Sequence, residues 1–382
     1  MSRTGIAHLP LHHGKAPRWL FKCMVALSRE ITKVLVFEYG TDEFLRRLSD
    51  PFWFQALSCV LGYDWHSSGC TTVTCGALKE AVNSEEVGVT FAGGKGNASR
   101  KTLSEIEEYG ERYNLSTGMI AELQYSSRMA AKVDNAAIQD GYNLYHHVLV
   151  FTENKKWAVI QQGLNNKTRY ARRYHWCSDQ LESFVCEPHK AIIGEDRQRQ
   201  VLDMTAKQSK TAQEISVDLM NDNPQHLMHD WAEITRHEHQ RTLDNWGNIQ
   251  KKQPLSRLDI PRAINWQKMR EIYDVHPTTY EELLSLKGVG ANTIRALALI
   301  TDLIYGERPS WEDPIRWSFA VGGKDAVPFP VDLQTYKNSI EILTDAVQQS
   351  KIGKRDKLDA LKRLRHVIPI VPVNPLVLSS GN

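Results

Sequence analysis

Two glycines separated by one residue mark the stretch of this sequence best suited to bind an anion. Gly288 and Gly290 can adopt backbone angles that other residues avoid, and they allow another backbone to approach closely. The segment after them predicts a helix, whose first turn presents free N–H groups and a positive dipole end. Lys287, Val289 and Thr293 complete the stretch. These residue types predict a phosphate-binding turn.

Two predicted helices position this turn. Upstream, Thr278 follows Pro277 and precedes Glu281 by three positions, which is the spacing of a capping box. Downstream, residues 292–305 are apolar on most faces, and Gly306 is suited to end a helix. Two helices joined by a glycine hairpin hold a nucleic-acid backbone without reading its bases. We therefore expect a helix-hairpin-helix and DNA as the partner.

A second candidate contact surface lies at residues 169–176, where arginines and aromatic residues alternate. A nucleic acid would receive phosphate contacts and stacking from this composition, so we expect auxiliary contacts there. The alternative is an amphipathic segment whose aromatic side chains are buried and whose arginines are solvated. The candidate contact residues are Arg169, Arg172, Arg173, Tyr174 and Trp176.

One acid stands at a predicted helix start downstream of the turn. Asp332 follows a proline-rich approach and precedes a segment that predicts a helix from about Leu333 to Gln349. An aspartate at this place commonly caps the helix by accepting hydrogen bonds from its first N–H groups.

The glycine turn, followed by a Pro-Val-Asp sequence ending at Asp332, resembles the helix-hairpin-helix DNA glycosylases. The resemblance implies that Asp332 stabilises the oxocarbenium-like sugar while the N-glycosidic bond breaks, or deprotonates the attacking water. It also implies that residues 288–290 hold the phosphate backbone. Lyase-competent members have a lysine where this chain has Asn292, which cannot form their Schiff base. Hydrolysis without strand cleavage is implied, unless Lys287 or Lys324 substitutes.

The segment between the turn and the Pro-Val-Asp sequence is longer than is usual in that superfamily. The extra residues, 308–326, include Trp311, Trp317, Phe319 and Lys324. They are types that can line a pocket around a flipped base. The alternative is a chance Pro-Val-Asp sequence on a non-catalytic domain that binds DNA or RNA.

Over nearly its whole length the chain also resembles an uncharacterised archaeal and bacterial family, domain-of-unknown-function family 763. The matching stretches are residues 3–7, 14–20, 64–69, 170–176 and the glycine turn. This resemblance implies no established activity.

Two further stretches suit polar contacts. Residues 91–101 form a glycine-rich basic loop without the spacing of a P-loop, and either contact phosphates or form a flexible surface loop. Residues 66–72 are dense in hydroxyl groups and either cap a helix at 74–82 or line a pocket.

Composition and length bound the fold. The chain has 382 residues, is 41% hydrophobic and 24% charged, and therefore suggests two or three globular domains. The predicted class is mainly α with a small β-hairpin or sheet in the N-terminal half. We expect four segments: an α+β domain at 1–190, a helical connector at 191–260, a helix-hairpin-helix domain at 261–365, and a proline-rich tail at 366–382.

Charge and hydropathy favour a cytoplasmic protein without a membrane partner. The net charge is only +2, so any basic surface must be local. No segment approaches the length of a membrane span, and the first residues lack the apolar stretch of a signal peptide. The oligomeric state stays open.

The sequence does not call for a metal or another cofactor. None of the six cysteines has C-x-x-C spacing, and a zinc site built from residues 175–189 is the minor alternative to scattered core residues. A metal-dependent nuclease is a third reading of function. It rests on the order of Asp140, Glu153 and Lys155, of which the last two lie in the polar turn of a predicted hairpin.

Overall fold

The computed structural model describes residues 16–63, 68–85, 87–194, 198, 200–244, 260–261, 264–315 and 333–367. Helices predominate in these residues, and a five-stranded antiparallel sheet lies mainly in the N-terminal half. The predicted class, mainly α with a small sheet in the N-terminal half, is confirmed.

The strands account for both sheets. They are β1 Val89–Lys95, β2 Ile138–Gln139, β3 Asn143–Thr152, β4 Trp157–Leu164, β5 Ala171–Cys177, β6 Ala191–Ile193 and β7 Leu202–Asp203. The larger sheet has the order β1-β3-β4-β5-β6, and β2 pairs with β7 in a separate ribbon. The predicted hairpin is confirmed as β3 and β4, whereas residues 171–176 of the arginine and aromatic stretch belong to strand β5, which pairs with β4.

The helices begin and end at residues that the sequence partly predicts. They are α1 Arg18–Tyr39, α2 Thr41–Leu48, α3 Pro51–Leu61, α4 Gly69–Val82, α5 Thr102–Arg112, α6 Thr117–Lys132, α7 Lys210–Asn221, α8 Pro224–Asp244, α9 Trp266–Tyr273, α10 Tyr280–Ser285, α11 Ala291–Leu303, α12 Leu333–Gln349 and α13 Lys354–Val367. Asp50 caps α3, since its Oδ1 accepts from the N–H groups of Phe52 at 2.9 Å and Trp53 at 3.0 Å.

The two faces of the larger sheet are covered by different sets of helices. We call one the α4 face, where the apolar side chains of the sheet form one core with those of α1–α4, and α12 and α13 extend this core. The opposite face, the α6 face, is covered by α5 and α6, and its core continues into α7–α11. Both cores are formed by alternating side chains of the strands, as expected for a sheet buried on two sides.

This packing distributes the predicted segments over two cores. Helices α12 and α13 pack mainly on α1 and α3, whereas α11, also assigned to 261–365, packs on α7 and α8. The predicted helical connector at 191–260 contains α7 and α8, whose apolar side chains belong to the core of the α6 face. Apolar faces from distant parts of the chain thus share two cores, and neither core belongs to one continuous segment.

None of the helices in the described residues is long and apolar enough to cross a membrane.

Candidate nucleic-acid interface

The glycine turn, residues 286–290, connects α10 to α11. Gly288 has a φ of +99°, which is in the region that favours glycine, and Gly290 immediately precedes α11. The cap of α10 lies one residue later than predicted, because Thr279 accepts from the N–H of Glu282 at 3.1 Å. The carboxylate of Glu282 in turn accepts from the N–H of Thr278 at 2.8 Å. A short capped helix therefore leads into the turn.

The inner side of the glycine turn is held by the core of the α6 face and by two polar side chains next to it. Val289 is 1% exposed and belongs to the core of that face. The ammonium group of Lys132, the last residue of α6, donates to the carbonyl oxygen of Leu286 at 2.9 Å. Gln139 Nε2 donates to the carbonyl oxygen of Ala291 at 2.8 Å. These contacts hold the backbone of the turn in one position while its outer surface stays open.

The outer surface of the turn combines free amides with positive charge. Lys287, Gly288 and Asn292 are exposed. Among the described residues no side chain caps α11, so the first N–H groups of this helix remain available to an anion. The aliphatic chain of Lys268 occupies the place that a Cβ of Gly288 would need. The arrangement suits a bound phosphate group.

Several of the cations around the turn are already engaged by other side chains. Arg295 lies one helical turn after the start of α11 and donates through Nε to Gln139 Oε1 at 2.6 Å. Lys268 Nζ donates to Glu271 at 2.5 Å. Burial lowers the pKa of Lys132. Lys287 is the exposed cation at the turn itself.

The supporting residues Lys132, Gln139, Lys268 and Arg295 escaped the sequence-based prediction. Lys132 and Gln139 are 154 and 152 positions away from the backbone groups that they hold. Neither carries a local pattern that would connect it to the turn, so only the fold brings them there.

Several predicted site residues lie outside the described residues. They are Asp332, Trp317, Phe319 and Lys324. The helix predicted to follow Asp332 is present as α12, with the predicted bounds. The roles of these four residues therefore stay predictions.

Trp311 is packed inside the protein. Its side chain belongs to the core of the α6 face, the residue is 6% exposed, and its Nε1 donates to Asp302 at 2.9 Å. The predicted part of Trp311 in a base pocket does not fit this packing, because the ring has no free face on which a base could stack.

Residues 172–176 are the core of strand β5 and not a contact surface. Arg172, Arg173, Tyr174 and Trp176 are each 0% exposed, while Arg169 is exposed just before the strand. Contact of these four side chains with a nucleic acid is therefore excluded in this fold, which corrects that prediction. The alternative of solvated arginines is also wrong, since both guanidinium groups are buried.

Arg172 lies at the centre of a buried ionic cluster on the α6 face. Its guanidinium donates to both carboxylate oxygens of Asp313, at 3.0 and 2.8 Å, and to Asp140 at 2.8 Å. Tyr174 Oη donates to the same Asp140 oxygen at 2.6 Å, and the Tyr142 ring lies 4.5 Å from the guanidinium carbon. Burial alone would lower the pKa of Arg172, but the two carboxylates raise it. The cluster joins the sheet to the segment that follows α11.

A second buried network on the same face connects α6 to the sheet. Asp134 contacts His189 Nε2 at 2.5 Å and accepts from Gln161 Nε2 at 2.5 Å. Gln161 Oε1 only accepts, so His147 Nδ1, 2.8 Å away, carries a proton and His147 Nε2 accepts from Ser127 at 2.8 Å. Ser127 is 2% exposed. This serine–histidine pair therefore has a structural place in the network, since no substrate can reach it here.

The structure does not support a metal site among the described residues. There, no group of three or more His, Cys, Asp or Glu side chains is arranged to hold a metal ion. The three residues of the nuclease hypothesis are too far apart to form one metal site. Asp140 precedes β3 and is paired with Arg172, whereas Glu153 and Lys155 follow the far end of this 10-residue strand. A strand of that length separates them by about 30 Å.

Comparison with known proteins shows the family and nothing further. Searches of curated proteins and of solved structures found no significant match. One family model, described as protein of unknown function (DUF763), matches residues 5–331. That range includes the larger sheet, the Arg172 cluster and the glycine turn, and it ends one residue before Asp332. The chain belongs to this DUF763 family of proteins of unknown function.

Proposed function

We propose that this protein binds the phosphate backbone of DNA through the glycine turn. The observation that carries the proposal is the exposed, uncapped start of α11 beside Lys287, held on a rigid base by Val289, Lys132 and Gln139. Free N–H groups at a helix start bind phosphate oxygens, and a nearby ammonium group adds charge. Contacts of this kind position a nucleic acid but do not select its sequence. We name this motif a helix-hairpin-helix as part of the proposal.

Reversing the charge at the turn tests the proposal. Lys287→Glu is expected to weaken the binding of a labelled DNA duplex about tenfold. It should also reduce the slope of log affinity against log salt concentration by the amount that corresponds to about one phosphate contact. The protein should remain folded because Lys287 is exposed. Fluorescence anisotropy over a series of salt concentrations measures both quantities.

The matched control is Lys155→Glu, which makes the same charge change in the exposed β3–β4 turn at the far end of the sheet. It should bind DNA like the unaltered protein. Equal losses in both variants would show that only the net charge matters, and the glycine turn would then have no special role.

A base-excision glycosylase is the second candidate function. It is favoured by the Pro-Val-Asp sequence that directly precedes α12 at its predicted start. In this reading Asp332 is the catalytic acid that supports cleavage of the N-glycosidic bond of a flipped base. Strand cleavage is not expected to follow, because Asn292 stands where the lyase-competent enzymes have their lysine. The family match ends before Asp332, so the glycosylase candidate is supported by the Pro-Val-Asp sequence more than by membership of the family.

Asp332→Asn separates binding from catalysis. The variant is expected to lose all excision from duplexes that carry uracil, hypoxanthine or 8-oxoguanine, and to keep its affinity for DNA. Alkali treatment of the product reveals the abasic sites. Asp345→Asn, an exposed position on α12, is the control and should excise normally. Excision that persists in the Asp332 variant rules out the assignment of the acid.

A further inference from the structure

Four segments of the chain meet at one end of the larger sheet. Strand pairing brings three of them together, because Lys95 at the end of β1 pairs with His146 near the start of β3, and the first residue of β3 pairs with Leu164 at the end of β4. The fourth is the glycine turn, whose backbone is held by Lys132 and Gln139 shortly before β3. We call the four segments together the basic end. They are residues 95–101, 128–142, 164–170 and 286–295.

The basic end carries exposed cations and no exposed acid. Its two acids, Asp134 and Asp140, are 1% and 5% exposed and are engaged by buried partners. The first acid after residue 101 is Glu105, which is paired with Lys79 at 2.6 Å, and the exposed acids of α5 begin at Glu107, more than a helical turn away. The whole chain has a net charge of only +2, so this end is far more basic than the protein as a whole. Six exposed cations of the basic end form no ion pair with a described residue: Lys95, Arg100, Lys101, Arg128, Lys167 and Lys287.

The β1–α5 turn is a short 3-10 helix, Gly96–Lys101, that carries two of these cations. Its backbone is held by local hydrogen bonds, since Ser99 Oγ donates to the carbonyl oxygen of Gly96 at 2.6 Å and Thr102 Oγ1 donates to that of Ser99 at 2.7 Å. Gly96 is exposed, and a Cβ added there would meet no other atom within 4 Å. The turn is therefore a regular structure with an open surface that another backbone can approach.

The β1–α5 turn and the glycine turn flank the C-terminal half of α6. Gln124 Nε2 donates to the carbonyl oxygen of Leu103, just after the β1–α5 turn, at 3.0 Å, whereas Lys132 donates to that of Leu286 in the glycine turn. The two α6 residues are eight positions apart, which is about 12 Å along the helix axis. Arg128 lies midway between them and is exposed. One partner that lies across α6 can therefore contact both turns at once.

The basic end has no exposed aromatic side chain. Its aromatic residues are Tyr142, which is 5% exposed, and Tyr170, which is half-buried. Proteins that bind single strands stack the unpaired bases on exposed aromatic side chains. The bases of a duplex are already stacked on one another, and cations alone suffice to contact its phosphates. The composition of this surface therefore favours a duplex.

We propose that the basic end is one continuous surface for a DNA duplex, on which the β1–α5 turn supplies a second phosphate contact. The proposal rests on the proposed backbone contact at the glycine turn and extends it. Arg100 and Lys101 bind phosphates on one side of α6, Lys287 binds them on the other side, and Arg128 contacts the backbone between the two turns. Lys95 and Lys167 extend the surface along the end of the sheet.

Reversing both cations of the β1–α5 turn tests the second contact. The double variant Arg100→Glu, Lys101→Glu is expected to bind a labelled duplex about a hundredfold more weakly, and the slope of log affinity against log salt concentration should fall by about two phosphate contacts. Both side chains are exposed, and acids are favourable near the start of a helix such as α5, so the variant should fold. Circular dichroism checks the fold, and fluorescence anisotropy measures binding by the full chain.

The matched control is the double variant Lys354→Glu, Arg355→Glu, which makes the same change of charge at the exposed start of α13. This helix packs on α3 and α12 and lies outside the basic end. The control should bind the duplex like the unaltered protein. Equal binding by the two double variants overturns the proposal.

Lys287→Glu, measured in the same series, separates this proposal from the function on which it rests. Losses in both Lys287→Glu and the Arg100, Lys101 variant support one continuous surface. A loss in Lys287→Glu alone overturns the second contact and leaves the glycine turn in place. A loss in the Arg100, Lys101 variant alone overturns the contact at the glycine turn, and the continuous surface with it.

The choice of a duplex is tested with the unaltered protein. A duplex and each of its two strands, all of the same length, are compared at one salt concentration. The duplex is expected to bind more tightly than either strand. Equal or tighter binding of a single strand overturns the assignment of the partner.

Discussion

Replacing Arg172 with methionine is expected to lower the free energy of unfolding by about 3–5 kcal/mol. The guanidinium group holds Asp140 and both oxygens of Asp313, and all three side chains are at most 1% exposed. The substitution leaves two carboxylates buried without their cation, and such a loss costs more than the ion pair itself contributes. Urea unfolding followed by circular dichroism measures the change.

Two variants sharpen this test. Arg169→Met changes an exposed arginine three positions earlier and should alter stability by less than about 0.5 kcal/mol. Arg172→Lys keeps the charge but loses the two parallel contacts with Asp313. Its stability should therefore lie between that of Arg172→Met and that of the unaltered protein. A stability of Arg172→Met within about 1 kcal/mol of the unaltered protein would contradict the cluster described here.

Acidification from about pH 7 to about pH 5 is expected to cost about 2 kcal/mol of stability through His146 alone. Its folded pKa of about 3 is below the ordinary value of 6.5, so over this interval the unfolded chain takes up a proton that the folded chain does not. Stability therefore falls as the pH falls through the ordinary histidine range. Burial also lowers the pKa values of His147 and His175, which act in the same direction.

The contribution of His146 to this pH dependence can be isolated with the substitution His146→Gln. Between the same two pH values this variant should lose about 2 kcal/mol less than the unaltered protein, because one of the neutral buried rings is absent. Urea unfolding at both pH values gives the difference. Identical pH dependence in the two proteins would mean that His146 takes up its proton in the folded state, contrary to its burial.

Local patterns predicted the parts of this fold that local interactions determine. Helix α12 begins and ends as expected. The β3–β4 hairpin follows from apolar runs on either side of a polar turn. The cap of α10 was displaced by one residue because Thr278 and Thr279 are both suitable caps, and the structure uses Thr279.

Interactions between distant residues account for the failures. The sequence around Arg172 and Arg173 has the composition of a nucleic-acid contact, but Asp313 and Gln55 lie 141 and 118 positions away from these arginines. Without those partners a buried arginine cannot be distinguished from an exposed one. The same holds for the glycine turn: its position was predictable, whereas its supports, Lys132 and Gln139, were not.

The Arg172 cluster also affects how the chain folds while it is being synthesised. Asp140 leaves the ribosome 32 positions before Arg172, but Asp313 follows 141 positions after it. Until then β5 contains a guanidinium group with only part of its compensating charge, so burial of this strand stays unfavourable. The core of the α4 face is completed later still, because α12 and α13 are the last described helices to be synthesised. A fragment that stops before residue 313 therefore lacks one carboxylate of the Arg172 cluster as well as the helices that complete the α4 face, and one that stops just before α12 lacks only those helices.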